Sequence, residues 1–416
     1  MQNNLSDVKF TESEAYGWVM VFITFTLSAI SFGVLSSVGV FLKVLEAEFG
    51  WARASLSFGY SAITLATAAT GIFWGFLADR YGTRRFVLFG AIVLGFPLLL
   101  LSTMDSIVEF YFYYFLFGAF GHATVTGLLY ANVGLWFTRN IGLAIGLSVA
   151  GGAVGQGTVP VIVRYLINQH DWQTAYWTLG IAYIILAIPI ALFVRDSPRR
   201  QSAQSHEAPR QRDGTAFPLS PMVVVAWIAT AVVFCCIAMA VPIVHLVPLL
   251  TDKGMSPNSA VTVFFVLMIT GAFGRVLGGK LADHIGALQS YICMSVLQTA
   301  VIFLFPHVQN TILIYALAMT FGLAFSGVMA SFLVCVRMMI PAGFLARGMS
   351  VVGATGWIGM GLGGWQGGIA FDMTGDYVWS FAIGSIAGVI NLAILAFFYM
   401  HIRRSGQPQR LQAAAA

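Results

Sequence analysis

The chain has 416 residues, 58% of them hydrophobic and only 9% charged, with a mean hydropathy of +0.84. Soluble domains carry about 25% charged residues, so these figures exclude a soluble globule, a disordered chain and a collagen. The net charge of +5 is spread over the segments between apolar runs, which argues against a nucleic-acid-binding surface.

Taken in chain order, apolar runs fall near residues 17–42, 52–77, 85–103, 109–137, 141–167, 173–194, 220–250, 259–281, 288–306, 310–336, 346–371 and 377–401. Each is long enough to cross a bilayer as a helix, so the expected fold is an all-α membrane protein with 12 transmembrane helices. The first run is too long for the core of a cleaved signal peptide and is expected to stay in the membrane. An even number of spans places both termini on one side. With that side taken as the cytoplasm, the inner segments hold 16 of the 21 Lys and Arg residues. The positive-inside rule therefore predicts cytoplasmic N- and C-termini in a multi-pass protein of the cell (inner) membrane.

The long hydrophilic stretch inside the chain, 195–218, contains Ser, Gln, Pro and five arginines and reads as a flexible cytoplasmic linker. It separates an N-terminal six-helix half, 1–194, from a C-terminal half, 219–402, with a cytoplasmic tail at 403–416. The halves repeat. Gly75, Asp79 and Gly82 after span 2 recur as Gly279, Asp283 and Gly286 after span 8, at a constant offset of 204 residues. Parallel repeats around a central site are the plan of a rocking secondary transporter.

The segment Gly75-Phe-Leu77-Ala78-Asp79-Arg80-Tyr-Gly82-Thr-Arg84-Arg85 resembles the span 2–3 signature of the major facilitator superfamily, G-x-L-A-D-R-x-G-x-R/K-R/K. The resemblance implies the major facilitator fold, with two pseudo-symmetric six-helix halves. It also implies a gating role on the cytoplasmic side for Asp79, Arg84, Arg85 and, in the second copy, Asp283. Orientation and folding alone are the competing role. Within the superfamily the chain resembles the monocarboxylate porter family, including its bacterial oxalate/formate branch. The residues that carry this are Trp136-Phe137-x-Arg139-x-x-Gly142-Leu143-Ala144-x-Gly146, Phe49-Gly50-Trp51-x-Arg53, His245-x-Val-Pro248 with Asp252 and Gly254, and Gly274-Arg275-x-x-Gly278-Gly279. The chain departs from animal members at Ser36 and Ser37, where they carry a lysine, and at Gly271, where they carry an aspartate. No second cation stands near Trp357, which argues against a dicarboxylate held between two cations.

Arg275 is the leading site residue. A membrane-embedded arginine costs roughly 2.5–3.5 kcal/mol, and no Asp or Glu falls in the interior of a predicted span to offset it, Glu109 standing at the very edge of its run. Its guanidinium offers a two-pronged match to a substrate carboxylate, the role the resemblance also implies. Snorkelling is the alternative, since Arg275 lies about 10 Å from the cytoplasmic end of its span at 1.5 Å per residue. His122, near the middle of span 4, can donate to substrate, carry a coupling proton or serve as a contact between helices. His245 fits an extracellular gate, a proton entry or an interfacial position. Tyr130 and Trp357 are substrate-contact candidates against a background in which aromatics mostly pack.

Gly359-x-Gly361-x-x-Gly364 matches a dinucleotide fingerprint, but no strand precedes it, so the glycines read as helix-packing residues. Cys235, Cys236, Cys293 and Cys335 lack metal-ligand spacing and read as apolar packing residues. No cofactor, metal or enzyme activity is expected. The expected function is secondary active transport of a small organic anion, most simply a monocarboxylate, with or without proton symport. The expected partners are that acid, the lipid bilayer and, in the symport case, protons. Efflux of hydrophobic compounds and a non-transporting membrane sensor are the alternatives.

Overall fold

A computed structural model describes the backbone of residues 3–137, 141–198, 219–340 and 342–414, with side chains throughout except at 3–14, 79, 141–143, 283, 342–347 and 406–414. Twelve helices are present among the described residues. They are α1 (Asn3–Phe49), α2 (Arg53–Tyr81), α3 (Thr83–Leu101), α4 (Ile107–Trp136), α5 (Ile141–Gln169) and α6 (Trp172–Leu192), followed by α7 (Pro221–Asp252), α8 (Pro257–Ile285), α9 (Ala287–Ile302), α10 (Thr311–Met339), α11 (Ala342–Thr374) and α12 (Val378–Ala414). Ten helices are long and apolar enough to cross a membrane, and α9 is a shorter apolar helix of the same character. The chain is thus a multi-pass membrane protein, as its apolar runs predict. The helices overrun those runs at several ends: α1 reaches Phe49 and α12 continues through the expected tail to Ala414.

The helix starts follow local sequence. Ser106 accepts a hydrogen bond from the Glu109 amide, and the Glu109 carboxylate accepts from the Asp105 amide, a variant of the capping box. Asp171 caps α6 by accepting from the Thr174 amide at 2.6 Å, and this bond holds the exposed Asp171 carboxyl below its usual pKa. Asn310 caps α10 through the amides of Ile312 and Leu313.

Helix pairing repeats with a period of six helices. In the first half α1 packs on α5, α2 on α4 and α3 on α6; in the second, α7 packs on α11, α8 on α10 and α9 on α12. Glycines set these contacts, because without water between helices close backbone approach supplies the attraction. A methyl group at Gly155 would run into the Ala29 carbonyl, one at Gly118 into Ile63, and one at Gly95 into Gly180. The second half repeats the device with Gly363 against Ile237, Gly274 against Leu323 and Gly388 against Thr299.

The two signature turns match as well. Gly82 and Gly286 have φ of 99° and 97°, a region that favours glycine, and their amides close the preceding helices onto Ala78 and Ala282. The chain gathers into two compact units: Met1–His206 with Leu246–Ile269, and Glu207–His245 with Thr270–Ala416. Residues of the expected linker begin as packed chain. Asp196 accepts from the Thr83 amide at 2.7 Å, while Ser197 bonds both Asn132 and the Leu135 carbonyl.

Candidate functional site

In the first unit the candidate residues sit on α4, which is not a plain α-helix. Its middle, Phe117–His122, is a π-turn, a feature frequent at functional sites. A π-turn disturbs the regular pairing of backbone carbonyls, and α2 supplies donors here. Thr67 donates to the Gly118 carbonyl at 3.2 Å, while Thr70 and Trp74 Nε1 donate to that of Ala119 at 3.0 and 2.7 Å. The widened turn ends on His122, whose ring is completely buried. Its Nδ1 lies 2.6 Å from Ser31 Oγ, and its ring meets the Phe32 ring edge-on at 4.8 Å between centroids. His122, Thr126 and Tyr130 follow at four-residue spacing and therefore share one side of α4. Tyr130 is half-buried.

On α1 a polar stripe faces inward that the sequence reading missed. Thr24, Ser28 and Ser31 are all completely buried, and the hydroxyls of Thr24 and Ser28 have no hydrogen-bond partner among the described residues. Their spacing of four and three residues was the available signal. Single serines and threonines are common in membrane helices, so the stripe gains meaning only once His122 is placed opposite it.

The second unit holds Arg275, Trp357 and His245. Arg275 is half-buried on α8, directly after Gly274 and one turn beyond Gly271. The glycine face of α8 presses on α10: a methyl at Gly271 would lie 2.6 Å from Ser326 Oγ, and one at Gly278 would strike Gly327. A side chain at position 271 would have to displace the Ser326 hydroxyl and would press on the Gly322 carbonyl, 3.3 Å from such a methyl. Trp357 is half-buried on α11, beside a stripe of Gly356, Gly359, Gly363 and Gly367 that packs on α7. The apparent dinucleotide fingerprint thus lies within an α-helix, and Gly359 makes its close approach to Val233 and Cys236.

His245 is completely buried, in the notch left by Gly367. Its Nε2 lies 2.7 Å from the Gly364 carbonyl, which can only accept, so Nε2 carries the proton. The ring also meets Tyr377 at 5.3 Å. His245 therefore ties α7 to α11.

At the signature turn, Arg84 donates to the Leu192 carbonyl at the end of α6 at 3.3 Å, and Arg85 is exposed. The side chains of Asp79 and Asp283 lie outside the described residues. Asp196, missed as a candidate because it opens the hydrophilic stretch, holds the start of α3 beside Gly82. Of the residues singled out from sequence, His122 and Tyr130 thus share a helix side in one unit. Arg275, Trp357 and His245 stand on three different helices in the other.

Comparison with known proteins agrees with this architecture. The chain is 26% identical over 406 residues to monocarboxylate transporter 13 of Bos taurus, covering 95% of this chain and 93% of that protein. It is 22% identical over 369 residues to the uncharacterized MFS-type transporter YcxA of Bacillus subtilis (strain 168), with 87% and 90% covered. The agnestins efflux protein AgnL12 of Paecilomyces divaricatus is 28% identical over 213 residues, with 51% and 47% covered. Among solved structures, a bacterial homologue of the human lysosomal transporter Spinster, in an inward-facing and occupied conformation, superposes with a TM-score of 0.71. It is 15% identical over 92% of this chain and 96% of that one, a likeness of fold. The family model described as Major Facilitator Superfamily matches residues 21–342 and 226–415. With twelve helices among its described residues, repeated pairing and two signature turns, this chain is a transporter and no enzyme, and it belongs to the Major Facilitator Superfamily.

Proposed function

We propose that this transporter carries a small organic anion, most simply a monocarboxylate, by alternating access, with Arg275 as the cation that binds the carboxylate. The observation that carries the reading is Arg275 itself, a half-buried guanidinium on a membrane helix whose apolar run contains no acid. Guanidinium matches carboxylate with two parallel hydrogen bonds. The relatives named as monocarboxylate transporters support the same substrate class. Trp357, in the same unit as Arg275, serves as an aromatic wall for the substrate's remaining substituent. A single cation suits one carboxylate better than two.

His122 donates to the substrate or takes a coupling proton, and Ser31 orients its ring for either task. His245 is engaged with a backbone carbonyl, which favours tethering α7 to α11 over gating. Asp79, Arg84, Arg85 and Asp283 hold the signature turns in one conformation of the cycle. The distribution of Lys and Arg supports cytoplasmic termini and a place in the cell membrane. The second reading is efflux of hydrophobic compounds, favoured by the similarity to AgnL12 over half of the chain.

Proteoliposomes loaded with buffer and offered radiolabelled lactate, pyruvate, formate and oxalate, with and without an inward proton gradient, test the proposal. Saturable uptake of a monocarboxylate that its amide does not inhibit is expected. Transport of uncharged hydrophobic compounds with no carboxylate uptake would favour the efflux reading instead.

A further inference from the structure

The end of the first unit away from the signature turn carries a charge cluster that none of the roles above uses. Arg53, at the start of α2, has a side chain only 6% exposed. Its Nε sits 3.0 Å from both carboxylate oxygens of Glu46 on α1. Its two terminal nitrogens reach Asp252, the last residue of α7, with Nη2 at 3.2 Å from Oδ1 and Nη1 paired to Oδ2. Lys43 of α1 also pairs with Asp252. Nearby, Arg164 and Asn168 of α5 both donate to Asn258 Oδ1 at the start of α8. These bonds fasten the α7–α8 turn, which in sequence belongs to the second repeat, onto helices of the first. A cavity of about 40 Å³ lies under the cluster, lined by Val40, Lys43, Arg164, Val247, Thr251 and Val261 among others.

A buried arginine shared by two carboxylates is expensive to assemble and expensive to break. Removing one partner leaves a buried charge uncompensated. A merely solubilising surface needs no such arrangement, since exposed pairs contribute about 0–1 kcal/mol. A lock that must hold in one conformation and release in another does.

We propose that Arg53, Asp252 and Lys43, with Glu46 steadying Arg53, form an outer latch that closes the side of the transporter opposite the signature turns. The latch opens when Asp252 leaves Arg53 and the end of α7 parts from α1 and α2. The cavity below then joins the outer solution. This role is independent of which substrate is carried, because it concerns access alone.

Accessibility of a reporter cysteine tests it. Val247→Cys places a thiol on the cavity wall, where the native side chain is 7% exposed. Full-length protein in nanodiscs is treated with a membrane-impermeant maleimide, with protein lacking the added cysteine as blank. Asp252→Asn keeps the size and removes the charge, and is expected to raise the reporter's labelling rate at least three-fold. Asp252→Glu restores the charge and is expected to return labelling towards the parent rate. Arg53→Gln should behave as Asp252→Asn and provides the reading if that variant fails to fold. Unchanged labelling in a folded Asp252→Asn or Arg53→Gln protein would overturn the latch. Equal labelling of the Asn and Glu variants would overturn it too, because packing rather than charge would then close the cavity.

Discussion

Replacing Arg275 tests the proposed substrate site most directly. An arginine–carboxylate contact comprises two charge-assisted hydrogen bonds, each contributing about 1.5–3 kcal/mol. Lysine keeps the charge but offers a point ammonium, so Arg275→Lys loses one prong. Arg275 is half-buried rather than enclosed, and solvent screening places the loss at the lower end of that range. About 1.5–2 kcal/mol corresponds to roughly 10- to 30-fold weaker binding. Arg275→Gln removes both prongs and the charge, and is expected to weaken carboxylate binding by about 100-fold or more. Ligand-induced thermal shift on purified protein, run beside uptake into proteoliposomes, separates binding from turnover. Carboxylate affinity retained within about three-fold in a folded Arg275→Gln variant, on the scale where 1.4 kcal/mol is ten-fold, would refute the site.

Further outcomes follow from other positions. His122→Gln should abolish uphill uptake driven by a proton gradient while leaving exchange of labelled for unlabelled substrate. A mutant that concentrates substrate as well as the parent would exclude His122 as the coupling group. Asp79→Asn should slow turnover more than it weakens binding, and an unchanged kcat in proteoliposomes would count against gating by the signature turn. Asp171 provides a pH test of stability. Its hydrogen bond from the Thr174 amide lowers the folded-state pKa, so the cap stabilises above the ordinary aspartate range and is lost as pH falls through the lowered value. The Tm difference between parent and Asp171→Ala should accordingly shrink as pH is lowered from 7 towards 3; a difference independent of pH would show that the carboxylate charge is not what caps α6.

Much of the architecture was legible in the chain because the signals are local. Each apolar run, each basic segment between runs and each copy of the signature is a contiguous stretch that can be read without its neighbours in space. Gly82 and Gly286 illustrate this, for their positive φ follows from the tight turn between two helices that the motif itself encodes. The GxGxxG match fails on the same basis, since a strand must precede that motif and an α-helix stands there instead. Arg275 was visible because one charge in an apolar run is conspicuous without any knowledge of its neighbours.

Other features depend on partners far along the chain, which no local pattern specifies. The π-turn at Phe117–His122 relies on donors from Thr67, Thr70 and Trp74, about fifty residues earlier. Ser31 becomes the neighbour of His122 across 91 residues, and Arg53 that of Asp252 across 199. In the sequence Lys43 follows one apolar run and Arg53 stands at the edge of the next, where charges are ordinary; only packing shows that Arg53 is buried between two carboxylates. The amino-acid sequence by itself therefore determined which segments enter the membrane, in which orientation they are expected to lie, and that the chain repeats, because water, lipid and charge act on each segment separately. Tertiary structure decided which polar groups meet, because a polar side chain withdrawn from water must find its partner wherever the fold brings one within about 3 Å.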